Sequence, residues 1–228
     1  MSKLEEYLAF AKAHPALFEN PSAEGITILL DEAEIQQVEA QVAQWLEAKG
    51  KPTDSAQVGI ICQDQYIRYL RDAVRFPGGS MGVYSRMVDP ENAVPGVIVL
   101  PIYQEQVLLI RHFRHATRAW HLEIPRGFGT KGLTSEENAE RELEEEIGAK
   151  PSHLISLGQI YPNSGMTSEC DELFFADIES YGKVEIEEAI TDLLPTPVSE
   201  FERMIRDNEI ADGFTLAAYA RAKLRGLL

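Results

Sequence analysis

The sequence predicts an α/β (α+β) protein in which helices flank a mixed sheet, preceded by an N-terminal helical and antiparallel β region. Three observations lead to this prediction. The segment before residue 57 has helical periodicity, short β-rich runs follow it, and the second half alternates apolar runs with helical segments. A chain of 228 residues is long enough for one sizeable core with an appended region.

The first part of the chain divides into a helical region and a β-rich region. Apolar residues at helical spacing predict two helices, over residues 2–14 and 31–49. β-rich runs separated by turn residues predict an antiparallel meander with strands over residues 58–62, 66–74 and 82–87. We therefore predict a helical region at 1–56 and a β-rich region at 57–92.

The third predicted segment, residues 93–228, contains the strongest strand signals. Apolar runs predict strands over residues 97–103, 106–110, 154–161 and 173–178, the first two joined by a tight turn. Two helices, about residues 199–207 and 214–225, close the chain.

A further helix is predicted between a capping box and a glycine stop. Thr134 and Glu137 have the spacing of the capping box, and Gly148 stands where a left-handed C-terminal residue ends a helix. An apolar stripe at four-residue intervals predicts the buried face, formed by Ala139, Leu143 and Ile147.

The same helix carries a cluster of carboxylates. Glu145 and Glu146 lie one turn from Glu142, at the i+3 and i+4 positions of one face. Like charges at this spacing destabilise a helix by about 0.2–0.5 kcal/mol per pair, so a divalent cation would explain the cluster. A solvated acidic helix is the alternative explanation, but the glycine-rich segment at 123–132 that precedes the helix favours a site.

Loop and helix together resemble the Nudix box, G-x5-E-x7-R-E-U-x-E-E-x-G-U, in which U is a bulky aliphatic residue. The positions in register are Gly127, Arg141, Glu142, Leu143, Glu145, Glu146 and Gly148. Two positions depart from the pattern, because Leu133 replaces the first glutamate and Ala149 replaces the last aliphatic residue. We expect the loss of the first glutamate to alter the bracing of the loop more than the activity. The resemblance implies a Nudix α/β/α sandwich over 93–228.

Three shorter segments resemble the ADP-ribose pyrophosphatase branch of that superfamily. Residues 123–127 resemble its E-x-P-A-G segment, although Arg126 replaces a small residue there. Residues 162–169 resemble its P-S-P-G-x-x-x-E loop, and residues 208–215 resemble its G-x-I-x-D-x-x-T stretch. That branch has an N-terminal β-region that helps to form a homodimer. The resemblance therefore implies a homodimer, with the β-rich region at 57–92 as a candidate dimerisation element. The helices before residue 57 are not part of the pattern.

The resemblance implies Mg²⁺-dependent hydrolysis, with Mn²⁺ as an alternative ion, of a pyrophosphate in a small-molecule nucleotide. ADP-ribose, giving AMP and ribose 5-phosphate, is the expected substrate. Nucleotide sugars, NADH and dinucleoside polyphosphates are alternatives. A Nudix domain that binds such a ligand without hydrolysing it is a further alternative, which the complete set of box glutamates disfavours.

Specific residues are expected to carry this chemistry. The predicted metal ligands are Glu142, Glu145 and Glu146. The resemblance to the branch implies that a backbone carbonyl near Arg126 completes the shell. We expect Arg141 to brace a carboxylate or the glycine loop. Glu169 matches the branch's loop glutamate that can act as general base. With Glu142, Glu146 and Arg141 it completes the predicted catalytic set.

Other residues are candidates for the base and for substrate binding. Asp171 and Glu172 compete with Glu169 for the role of base. The predicted substrate-binding residues are Arg111, Arg114, Glu123 and Gly127. Two aromatic side chains could stack on a nucleobase, Trp120 and Phe128.

The composition restricts the partners and the compartment. The net charge of −16 argues against a general nucleic-acid surface, because phosphate backbones bind clustered Lys and Arg. No apolar stretch approaches the length of a membrane span, and no signal peptide is recognisable. Cys62 and Cys170 have neither metal-binding nor redox spacing, so both are expected to be thiols. These features predict a cytoplasmic protein without a membrane partner.

Overall fold

The computed structural model of the chain describes residues 2–22, 24–88, 94–182 and 189–228. It forms two compact units. The first comprises Met1–Glu91 and Asn163–Ser168, and the second comprises Asn92–Pro162 and Glu169–Leu228. The boundary predicted between residues 92 and 93 lies outside the described residues.

The first unit combines two helices with a small sheet. Its elements are α1 (Lys3–Ala13), β1 (Thr27–Leu29), α2 (Glu32–Ala48), β2 (Gly59–Gln63), β3 (Arg68–Arg75) and β4 (Met81–Val88). Helix α1 begins with a capping box at Ser2, and the Asp31 side chain caps α2 by accepting two backbone N–H groups. Both helices begin and end within two residues of the predicted limits.

β3 is the central strand of the sheet in this unit. It pairs antiparallel with β1 and β2, and on its other edge with β4. The helical and β-rich regions, predicted as separate segments, share one hydrophobic core that includes Tyr7, Ile35 and Leu70. The segment Asn163–Ser168 joins this unit through β4, because the Met87 N–H donates to the carbonyl of Met166 at 2.7 Å.

The second unit contains the larger sheet and three helices. Its elements are β5 (Val97–Tyr103), β6 (Gln106–Arg114), β7 (Ala119–Glu123), β8 (Arg126–Gly127), α3 (Ser135–Ile147), β9 (Lys150–Ile160), β10 (Asp171–Ser180), β11 (Ile190–Pro197), α4 (Val198–Arg206) and α5 (Gly213–Leu224). The strand order is β11-β6-β5-β10-β9. β5 and β10 run parallel, whereas the other strand pairs in the described part of this sheet run antiparallel, so the sheet is mixed as predicted.

β5 and β6 diverge from their shared turn, and this divergence opens the sheet on one side. They pair only at the turn, where Gln104 and Glu105 both adopt positive φ values of 49° and 61°. Further along, β6 pairs with β7 and β5 pairs with β8. The glycine-rich segment therefore enters the sheet beside the start of β5.

Two helical layers cover the faces of this sheet. Val97 and Val99 of β5 share a core cluster with Leu143 of α3, whereas Ile98 of the same strand shares another with Phe201 of α4. Successive residues of a strand point to opposite faces, so β5 is buried on both. This arrangement confirms the predicted α/β/α sandwich.

The structure also differs from the sequence-based elements in several places. The short strands β1, β7 and β8 and the proline-containing β11 were not predicted, and β6 runs four residues beyond Ile110. The basic side chains of Arg111 and Arg114 consequently lie within a strand rather than after it. In the described part of the chain, every helix is too short or too polar to cross a lipid bilayer.

Candidate active site

The glycine-rich segment and helix α3 meet in close contact at Gly127. A Cβ atom at this position would lie 1.9 Å from Oε2 of Glu142, so only glycine lets the Glu142 carboxylate lie against the backbone. Glu142 is 6% exposed as a result. The motif therefore requires glycine at position 127 because any larger side chain would collide with the Glu142 carboxylate.

Further contacts hold the loop against the helix. The Arg126 N–H donates to Oε2 of Glu146 at 3.2 Å, and the Asn138 side-chain amide donates to the Phe128 carbonyl at 3.1 Å. At Gly129, a Cβ atom would lie 2.3 Å from the Val94 carbonyl oxygen. The loop is thus fixed by backbone contacts on both sides.

Helix α3 presents its acidic residues to the loop because its other side is buried. The predicted capping box joins Thr134 to Glu137, and Gly148 ends the helix with a φ of 57°. The apolar residues Ala139, Leu143 and Ile147 are fully buried against the sheet. This packing fixes the rotation of the helix and directs Glu142 and Glu146 towards the glycine-rich segment.

A cavity of about 580 Å³ opens at this junction. Five carboxylates from two chain segments line it: Glu142, Glu145, Glu146, Glu169 and Asp171. Basic and aromatic side chains also line it, namely His112, Arg114, Arg126, Arg141, Phe128 and Phe214.

Glu123 is fully buried and is surrounded by three potential cations. Arg114 binds both of its carboxylate oxygens, with Nε at 3.1 Å from Oε2. His112 Nδ1 lies 3.2 Å from Oε1, and Arg126 approaches Oε2 at 3.6 Å. Burial acts to raise the pKa of Glu123, but the contacts from His112 and Arg114 and the charges of Arg114 and Arg126 outweigh it, so the pKa lies below its ordinary value.

Arg141 braces the acidic cluster. It forms an ion pair with the neighbouring Glu142, another with Glu145 at 2.6 Å, and a hydrogen bond to Oδ1 of Asn138 at 3.1 Å. These contacts offset the repulsion between the carboxylates of α3.

The structure brings most of the predicted site residues together. Those that line the cavity are Glu142, Glu145, Glu146, Glu169, Arg141, Arg114 and Gly127. Glu123 lies buried beside the cavity rather than in its wall. Arg111 is not among the lining residues; its guanidinium carbon lies 4.3 Å from the centroid of the Trp120 ring. Of the two aromatic residues considered for stacking, only Phe128 lines the cavity, with 84% exposure.

Sequence reasoning gave no site role to several residues that the fold brings here. The side chain of Arg126 and the ring of Phe214 line the cavity, and Asp212 contacts Arg126 at 3.3 Å. Asp212 occupies the aspartate position of the segment that resembles the G-x-I-x-D-x-x-T stretch, and this resemblance could have indicated a site role for it. Asn138 could have been found from its i+3 spacing to Arg141, which is typical of side chains in contact on a helix.

The donors that line the cavity suit a hard divalent cation, because Mg²⁺ and Mn²⁺ prefer carboxylate oxygens. No group of three or more His, Cys, Asp or Glu side chains is arranged to hold a metal ion among the residues that the structure describes. Arg141 holds Glu142 and Glu145 in their present positions, and the Arg126 N–H holds Glu146. The chemistry of the donors fits a metal site, and binding would require these side chains to reorient.

The NUDIX domain model matches residues 93–210, which is more than half of the 228-residue chain. The chain belongs to the Nudix family. It is a Nudix hydrolase, a pyrophosphohydrolase of nucleoside diphosphate-linked compounds, and its substrate is a nucleotide-type small molecule.

Individual relatives are distant. Over 140 residues the hydrolase is 26% identical to the ADP-ribose pyrophosphatase of Bacillus subtilis (strain 168), covering 59% of this chain and 75% of that protein. Over 87 residues it is 32% identical to the ADP compounds hydrolase NudE of Escherichia coli (strain K12), covering 38% of this chain and 46% of NudE. A crystal structure of an ADP compounds hydrolase superposes with a TM-score of 0.65 at 22% identity, covering 75% of this chain and 93% of the other.

Proposed function

We propose that this Nudix hydrolase cleaves the pyrophosphate of ADP-ribose to give AMP and ribose 5-phosphate, with Mg²⁺ or Mn²⁺ as cofactor. The observation that carries the proposal is the set of five carboxylates lining one cavity beside the glycine-rich segment. The similarity to the ADP-ribose pyrophosphatase of Bacillus subtilis supports the choice of substrate.

Glu142, Glu145 and Glu146 would hold the metal. When bound, a divalent cation neutralises phosphate oxygens and favours attack by water at phosphorus. The buried positions of Glu142 and Glu146 limit the number of arrangements that their carboxylates can adopt. Arg141 would keep the carboxylates close together before the metal binds.

In the reaction a water oxygen forms a bond to one phosphorus while the bond from that phosphorus to the bridging oxygen breaks. The bridging oxygen keeps the electron pair and leaves on the other phosphate. Glu169, which lines the cavity and is partly exposed, would accept the proton from the attacking water. Asp171 also lines the cavity, but its Oδ1 accepts the N–H of Gly96 at 3.1 Å, which suits a bracing role better.

A substrate panel tests this proposal. Hydrolysis of ADP-ribose, NADH, GDP-mannose and diadenosine polyphosphates would be followed by product chromatography in a titration of Mg²⁺. We expect ADP-ribose to have the highest kcat/KM. A higher value for NADH or a diadenosine polyphosphate would support the second candidate, a broader specificity for ADP-containing compounds, which the similarity to NudE favours. Turnover of none of the four would contradict the proposal.

We also propose a cytoplasmic homodimer, as the resemblance to the ADP-ribose pyrophosphatase branch implies. Both cysteines are free thiols in the structure, which agrees with a reducing compartment. Light scattering of the full chain should give twice the chain mass of 25.5 kDa. A mass equal to that of one chain would contradict the homodimer.

A further inference from the structure

The arginines around the cavity differ in how firmly carboxylates hold them. Arg114 binds both oxygens of the buried Glu123. Arg141 pairs with Glu142 and, at 2.6 Å, with Glu145. Charge-assisted hydrogen bonds have donor–acceptor distances of about 2.7–2.9 Å, so the guanidinium groups of Arg114 and Arg141 are already engaged.

Arg126 is held more loosely. Its nearest contacts to carboxylates are 3.3 Å to Oδ1 of Asp212 and 3.6 Å to Oε2 of Glu123. Both distances exceed the usual range for charge-assisted hydrogen bonds. Glu123 receives closer contacts from Arg114, and the other oxygen of Asp212 accepts from the backbone and hydroxyl of Thr215 at 2.8 Å. Neither carboxylate is therefore committed mainly to Arg126.

The position of the Arg126 guanidinium is nevertheless well defined. Its central carbon lies 4.7 Å from the centroid of the Phe214 ring, and the side chain is 20% exposed in the cavity wall. A guanidinium that lies over an aromatic ring makes a cation–π contact, and this contact leaves its N–H groups available for other partners. The Arg126 main chain also donates to Glu146, so this cation lies on the segment that contacts the proposed metal ligands.

We propose that Arg126 is a substrate-binding residue whose guanidinium binds a phosphate oxygen of the substrate. A planar guanidinium can donate to two phosphate oxygens at once. Because five carboxylates line the cavity, an anionic ligand needs a cation there whose N–H donors are not already engaged by carboxylates. This inference rests on the proposed function, because it takes the diphosphate to be the ligand of the same cavity. Glu123 and Asp212 orient the guanidinium in the free enzyme.

The first test is steady-state kinetics with ADP-ribose. A hydrogen bond to a charged group contributes about 1.5–3 kcal/mol, so Arg126→Met should raise KM about 10- to 100-fold. Arg126→Lys keeps the charge but loses the planar guanidinium, so its KM should lie between the KM of the wild type and that of Arg126→Met. The matched control is Arg206→Met, since Arg206 has a 70% exposed side chain and does not line the cavity. Its KM should equal that of the wild type. An unchanged KM in Arg126→Met would overturn the proposal.

A second variant tests whether Arg126 acts by binding phosphate or only by linking the loop to α5 through its ion pair with Asp212. Asp212→Asn weakens the shorter ion pair of Arg126 but leaves the guanidinium in place. If Arg126 binds substrate, KM should stay within about twofold of the wild type, because the loss of one long ion pair is worth little. A KM as high as that of Arg126→Met would overturn the proposal by showing that the link itself matters.

Binding measured without turnover distinguishes failure of this inference from failure of the proposed function. Calorimetry would compare AMP with adenosine as probes, each with Mg²⁺ present. The wild type should bind AMP more tightly than adenosine, and Arg126→Met should lose at least tenfold of its AMP affinity while binding adenosine unchanged. If the wild type hydrolyses no pyrophosphate, the proposed function fails, yet this comparison still tests Arg126. Phosphate binding by Arg126 would be refuted if Arg126→Met lost equal affinity for AMP and adenosine, or if it kept wild-type affinity for both.

Discussion

Replacement of Gly127 by alanine should lower the activity strongly while it changes the stability little. The new Cβ would lie 1.9 Å from Oε2 of Glu142, whereas ordinary contacts begin at 3.4 Å, so the carboxylate must move by about 1.5 Å. A misplacement of about 1 Å at a catalytic group can lower a rate about 100-fold, or about 2.7 kcal/mol. We therefore expect kcat/KM for ADP-ribose to fall at least about 100-fold.

The stability of this variant should change little. The clashing atom is the end of the Glu142 side chain rather than backbone, so the carboxylate can shift while the loop and helix α3 keep their positions. The Gly→Ala change also stabilises the protein by about 0.4–1 kcal/mol through the unfolded chain, which offsets part of the cost of moving the ion-paired carboxylate. The melting temperature should therefore stay within about 4 °C of the wild-type value.

Two alanine variants serve as controls in the same assays. Gly129→Ala meets the backbone carbonyls of Val94 and Pro95 at 2.3 Å and 2.5 Å, so it should lower the melting temperature more than Gly127→Ala does. Gly78→Ala meets nothing within 4 Å, so it should leave activity unchanged and alter stability only through the unfolded chain, by about 0.4–1 kcal/mol. A folded Gly127→Ala protein with wild-type kcat/KM would refute the reasoning, because the position of Glu142 would then not matter.

Three further predictions concern single carboxylates. Glu146→Gln should lower kcat at least about 100-fold in the ADP-ribose assay, as expected when a metal site loses a charged ligand, and a kcat within threefold of wild type would reject the assignment. Glu169→Gln should slow single-turnover hydrolysis about 100-fold while Mn²⁺ binding is retained; if Asp171→Asn has this effect instead, the base is misassigned. Because the pKa of Glu123 is lowered by folding, its stabilising contribution is present above the ordinary value of 4.5 and is lost as the pH falls through the lower folded value. Chemical denaturation as a function of pH should therefore show a shallower acid limb for Glu123→Gln, and identical limbs would contradict the pKa argument.

Local sequence signals predicted the part of the site that lies on helix α3. The capping box at Thr134, the stop at Gly148 and the i+3/i+4 glutamates depend on neighbouring residues, and the structure contains the caps where they were predicted. The packing of Gly127 against Glu142 follows a motif, although the distances could come only from the structure.

Non-local contacts explain what the sequence did not predict. β11 contains Pro195 and Pro197, which disfavour a strand assignment, but it is an edge strand paired with β6, and prolines are tolerated at an edge. Arg126 reaches Asp212, a residue far along the chain, and no periodic pattern connects the two. The predicted strand ended at residue 110, yet β7 pairs with the residues that follow, and the strand extends to Arg114.

The central claim is that the cavity carboxylates bind a divalent cation, and a titration with Mn²⁺ followed by electron paramagnetic resonance tests it most directly. The wild type, Glu146→Gln and Glu144→Gln would be compared, since Glu144 lies on the same helix but is exposed and does not line the cavity. We predict that Glu146→Gln weakens Mn²⁺ binding at least about tenfold and that Glu144→Gln matches the wild type. Equal Mn²⁺ affinity in all three proteins would contradict the account.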